Sequence, residues 1–162
     1  MNRFLIPLIL MLMVVLLLSF QCTITWRWLI WDVRLELLPA LLLYAAFSLN
    51  LSSAIILGII AAAMYDSFSS GYFAASLIPY FIAITLFSAL RPIFFRDRVT
   101  TQLMSGFIFA WIALSLQWIL SGKFSIGWAN AVPKIFRLSV LSGVLAIVYF
   151  FILDRAFRLI DL

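Results

Sequence analysis

Long uncharged runs, broken by short polar or charged clusters, make up almost the whole chain. Phe4 to Trp26 is the first run, bounded by Arg3 and Arg27. It predicts a first membrane span rather than a cleaved leader. It is long for a leader's apolar core, and Ser19-Phe20-Gln21-Cys22 lacks the small residues of a cleavage site. Trp26, Trp28 and Trp31 then cluster with Arg27, Asp32 and Arg34, the composition of a headgroup-level belt. A second span is expected from about Arg34 to Leu49, with Pro39 in its first turns, where proline is tolerated. The stretch from Leu37 to Tyr65 is uncharged but too long for one span. Asn50 to Ser53 interrupts it with turn and cap residues, so two spans folded as a tight hairpin are predicted.

The third span carries Asp66. A fourth is expected from about Tyr72 to Leu90, kinked near Ala75 by Pro79. Arg91, Arg96, Asp97 and Arg98 form the densest charged loop. A fifth span runs from about Thr101 to Leu120, with Gln117 placed for an interhelical hydrogen bond. Ser121 to Arg137 is too polar to span and too apolar to float free, which predicts a short helix lying in the interface. The sixth span is expected from about Ile135 to Leu153, with Ser139 and Gly143 on a small face.

Composition agrees. Of 162 residues, 67% are hydrophobic and 10% charged, with a mean hydropathy of +1.22. Soluble domains carry about 25% charged residues. The fold expected is an all-α polytopic membrane protein: one domain over residues 1–162, about six transmembrane helices in one compact bundle. The chain has no His and one Cys. That excludes an internal disulfide, His/Cys metal sites and His-based catalysis. The net charge of +5 comes from basic residues scattered at span ends, which suits a lipid bilayer and not nucleic acid.

Asp66 is the one charge deep in the apolar pattern, and a carboxylate there needs compensation. It falls near the C-terminal end of its helix, where the macrodipole is unfavourable. The expected partners are the Ser69, Ser70 and Gly71 turn, the amides that open the next helix, or a basic group, with Arg34 first. Ala54, Gly58 and Ala62 repeat every four residues on the same helix, a stripe that lets another helix come close. Packing between spans of this chain is the plain explanation, and a face for another protein is the alternative. No catalytic constellation is legible. Asp32, Glu36, Asp97, Asp154 and Asp161 all fall near expected span ends, with no paired carboxylates, activated Ser or phosphate loop. The chain is therefore expected not to be an enzyme and to need no cofactor.

Two segments resemble a known family. Arg34-Leu-Glu-Leu-Leu-Pro-Ala-Leu-Leu-Leu-Tyr-Ala-Ala46 resembles the second span of MreD, the bacterial rod shape-determining membrane protein. Leu57-Gly58 through Asp66-Ser-Phe-Ser-Ser-Gly71 resembles that family's Gly-rich helix, with its one Asp and Ser-Gly turn. Here Ala62 stands where a second Gly is common, and the turn glycine is one place late. The resemblance implies a non-enzymatic subunit of the peptidoglycan elongation machinery in the bacterial inner membrane. Its implied partner is an MreC-like protein, near MreB filaments, a SEDS-type glycosyltransferase and a class B penicillin-binding transpeptidase. The family is also similar to the substrate-binding subunits of energy-coupling-factor transporters, which share the six-helix design; that is the alternative function. Both termini are expected in the cytoplasm, because the tight cluster of Arg91, Arg96 and Arg98 shares their side. The sequence leaves dimerisation open.

Overall fold

The computed structural model describes residues 5–24, 29–30, 33–34, 36–68, 75–92, 98–121 and 127–160. Six helices carry the fold: α1 (Leu5–Ile24), α2 (Leu38–Ser48), α3 (Leu51–Phe68), α4 (Leu77–Leu90), α5 (Val99–Leu120) and α6 (Trp128–Ile160). Two short strands, β1 (Leu29–Ile30) and β2 (Val33–Arg34), pair antiparallel between α1 and α2, with Leu29 opposite Arg34. The architecture is an all-α, multi-pass bundle of membrane type. Among the described residues α3, α5 and most of α6 (Ala129–Arg158) are long and apolar enough to cross a membrane. The apolar parts of α1 (Ile6–Gln21), α2 and α4 are shorter.

The bundle is built around α2. Every residue from Leu37 to Phe47 is buried, so this helix is enclosed on all sides rather than along one stripe. It touches α1, α3, α4, α5 and α6. Its 11 residues span about 16 Å at the usual rise, roughly half the hydrocarbon thickness of a bilayer. Local chemistry sets that length. Pro39 occupies one of its first two positions, and at Leu49 the backbone turns extended (φ −96°, ψ 162°). Arg91 Nη1 donates to the Leu49 carbonyl at 3.2 Å, placing a cation where the α2 carbonyls end. Only Leu49 and Asn50 separate α2 from α3, so the predicted hairpin is present.

Around α2 the other helices turn small or branched residues inward. On α1, Leu10, Val14 and Leu18 face the core while Leu8, Leu12 and Leu16 are exposed, the spacing of one helix face against lipid. The helices α5 and α6 come close together. A Cβ added at Gly106 would lie 2.8 Å from Ala146 Cβ and 2.9 Å from Gly143 Cα. One added at Gly143 would lie 2.8 Å from the Leu103 carbonyl oxygen. Backbone here meets backbone, as small residues permit in membrane helix pairs. The small face expected at Ser139 and Gly143 is therefore used inside the chain.

Two expectations are corrected. Pro79 does not kink a span that starts near Tyr72, because α4 begins at Leu77 and places Pro79 in its first turn. Amides there have no intrahelical partner, so proline removes nothing. Nor does a separate interfacial helix precede the sixth span. Residues from Trp128 onward form one helix with Pro133 inside it. It starts just after Gly127, whose φ of +74° suits glycine. Ala131 and Ile135 are buried with Ala110 and Leu114 of α5, and Trp111 and Trp118 pack against them. That seam holds the first turns of α6 in line with the rest, although Pro133 forgoes the bond to the Ala129 carbonyl and its ring crowds that oxygen.

Candidate functional site

Successive spans alternate in direction. The opening of α2, the end of α3, the opening of α4 and the end of α5 therefore share one end of the bundle. Among the described residues, the one buried carboxylate lies there with several polar side chains. Asp66, in the last turn of α3, is 5% exposed. Its Oδ2 accepts the backbone N–H of Ser76 at 3.1 Å, immediately before α4. The unfavourable C-terminal position on α3 is thus offset by the N-terminus of α4, whose free amides favour an anion. Ser76 is itself fully buried, and its Oγ accepts a bond from Gln117 Nε2 of α5 at 2.8 Å. One chain of bonds so links α3, α4 and α5.

A second carboxylate joins from the other side. Glu36, two residues before α2, accepts the Tyr65 hydroxyl at 3.1 Å through Oε1. Tyr80 lies one turn beyond Ser76 on the same face of α4 and is 1% exposed. Its hydroxyl has no hydrogen-bond partner among the described residues. Leaving such a group unsatisfied costs about 1–3 kcal/mol. Among the described residues no group of three or more His, Cys, Asp or Glu side chains gathers here or elsewhere.

The expected partners of Asp66 divide in three. The amide that opens the next helix is present, as Ser76. Ser69, Ser70 and Gly71 lie outside the described residues. Arg34 is placed on β2 by its backbone, and its side chain lies outside the described part. The stripe of Ala54, Gly58 and Ala62 is buried along its length. At Gly58 the neighbour is the Ile84 side chain of α4, and an added Cβ would overlap its Cδ1. At this point the stripe packs two spans of the same chain.

Glu36 and Tyr80 are the members that sequence reasoning missed. Glu36 reads as an ordinary span-end acid, and Tyr80 as one aromatic among many. The alternation of spans was the available signal, since it places the start of the second span level with the end of the third. The opposite end has a simpler polar contact. Tyr44 of α2 donates to Asp154 Oδ1 of α6 at 2.9 Å, between Phe150 and Phe157. No protein-family description, curated protein or solved structure matches this chain.

Proposed function

We propose that this chain is a non-enzymatic membrane subunit of the bacterial elongation complex, supporting peptidoglycan synthesis and rod shape by binding an MreC-like partner. It sits in the inner membrane with both termini in the cytoplasm, so that the Asp66 end faces outward. The observation that carries the reading is the bond from Asp66 to the Ser76 amide. Its acceptor, Asp66, falls in the segment that resembles MreD, and the bond ties the end of α3 to the opening of α4 before any partner arrives. A surface fixed in advance loses little conformational entropy on binding, which favours affinity. The SEDS-type glycosyltransferase, the class B penicillin-binding transpeptidase and MreB are then neighbours in the same assembly.

The test is recovery of partners from native membranes with the tagged chain, alongside thermal melts of the purified protein with vitamins and related small molecules. An MreC-like protein recovered in proportion to the chain supports the proposal. A ligand at 100 times its Kd adds about 2.7 kcal/mol of stability, which a melt detects. Such a shift, with no cell-wall partner recovered, would replace the proposal with the transporter-subunit function.

A further inference from the structure

We propose that the C-terminal half of α6 holds one anionic phospholipid of the phosphatidylglycerol kind, with an acyl chain along Val144, Val148 and Phe151 and the phosphate at Arg155 and Arg158. This rests on the chain crossing a membrane and not on the elongation-complex reading. The starting point is the register of α6. Val144, Val148, Phe151, Ile152, Arg155 and Arg158 are all exposed. At about 3.6 residues per turn they fall on one face of the helix. Ser142, Ala146, Phe150 and Leu153 are buried on the opposite face. Phe151 is 66% exposed while its neighbour Phe150 is 1% exposed. One outward stripe so changes from apolar to cationic as it runs toward the end of the helix.

The stripe has the dimensions of a lipid in one leaflet. Residues 138–153 are uncharged, with Arg137 before them and Asp154 and Arg155 after, so Val144 lies near the middle of the part that fits the hydrocarbon. From Val144 to Arg155 the helix rises about 16 Å, close to half of a roughly 30 Å hydrocarbon core. Charge then selects the headgroup. Arg155 and Arg158 are three positions apart, so their side chains are neighbours on the helix surface. Asp154 is turned away from them, because its Oδ1 accepts the Tyr44 hydroxyl of α2 at 2.9 Å; Asp161 lies outside the described residues. Guanidinium forks hold phosphate oxygens through paired hydrogen bonds. In phosphatidylcholine the phosphate is balanced by the lipid's own ammonium group. In phosphatidylglycerol it is not, so the same two arginines gain more from it. A soluble acidic protein would meet the arginines but not the valines and Phe151, which stand at hydrocarbon depth.

The experiment uses the full chain, carrying Cys22→Ser, in vesicles of phosphatidylcholine. Val148→Cys bears a bimane fluorophore at a position that is already exposed. Phospholipid with brominated acyl chains replaces the vesicle lipid stepwise, as phosphatidylglycerol or as phosphatidylcholine, and quenches the fluorophore only on contact. The expected midpoint for phosphatidylglycerol lies on the order of thirtyfold below that for phosphatidylcholine. Arg155→Gln and Arg158→Gln should each cost about fivefold, and the double variant should bring the two lipids level. Lys134→Gln, at the other end of α6, should change nothing. The same fluorophore at Ile56, exposed on a helix without basic residues, should meet both lipids alike. Inorganic phosphate added at constant ionic strength should leave the preference intact. Equal quenching by the two lipids at Val148 overturns the proposal, as expected if an acidic protein is what the arginines hold. So does a preference that survives loss of both arginines, falls with Lys134→Gln, arises equally at Ile56, or is abolished by inorganic phosphate, the mark of a site for free anions.

Discussion

Adding one methyl group at each of two buried glycines should have opposite outcomes. At Gly106 the new Cβ would meet Gly143 Cα at 2.9 Å and Ala146 Cβ at 2.8 Å, with the Ser142 carbonyl oxygen at 3.2 Å. These atoms belong to the backbone of α6 or are fixed to it, so the helices must separate. Overpacking of that kind costs about 1–3 kcal/mol, more than the roughly 1 kcal/mol that alanine gains over glycine in a helix. At Gly58 the obstruction is the terminal Cδ1 of Ile84, with the next atom, Cγ1, at 3.7 Å. A rotamer change clears it, so Gly58→Ala should be neutral or slightly stabilising. Ile84→Val deletes the obstructing methyl. Alone it should cost about 0.5–1.5 kcal/mol, but much less beside Gly58→Ala, whose methyl fills the gap. Thermal melts in detergent read all four variants, at about 2–4 °C per kcal/mol for a chain of this size. If Gly106→Ala melted at or above Gly58→Ala, the claim that α5 and α6 meet backbone to backbone would be wrong.

Two further predictions follow from the same contacts. Asp66→Leu strips the Ser76 amide of its acceptor and should lower stability by about 1–3 kcal/mol, whereas Asp66→Asn keeps an acceptor and should lose less; equal melting of Asp66→Leu and the parent would reduce Asp66 to a bystander. Cysteines placed singly at Ser53 and Thr100, with Cys22 removed, should resist an impermeant thiol reagent applied to intact cells; labelling of either from outside would reverse the proposed orientation.

The parts legible in advance are those governed by local chemistry. Asn50 announces the hairpin between α2 and α3 because a polar break in an apolar run has few other uses. Asp66 required compensation, and the amides that open the next helix were one of the three sources expected, beside the Ser69 to Gly71 turn and Arg34. What was not legible is which helix is central. A helix in lipid is apolar on every side, so the pattern that separates core from surface in a soluble protein is nearly absent. Leu41 on α2 and Leu12 on α1 look alike in sequence, yet one is fully buried and the other exposed. The same uniformity hid the continuity of α6, where Gly127 and Pro133 suggested a break and the seam of Ala131 and Ile135 against α5 prevented one. The convergence of Glu36 with Asp66 needed the alternation of spans to be carried through to individual residues.

The enclosure of α2 has a consequence for how the chain is made. A helix of 11 residues is too short to span the bilayer's hydrocarbon alone. During synthesis it must enter with α3 as one hairpin, held by the two-residue link at Leu49 and Asn50. Its final walls come later. The hydroxyl of Tyr44 waits for Asp154, 110 residues downstream, and Phe47 for Phe150. The centre of the bundle is therefore among the first parts translated and among the last to be sealed. Until α6 arrives, the apolar side chains of α2 face lipid or neighbouring proteins, the interval in which misassembly is most open to a multi-pass chain.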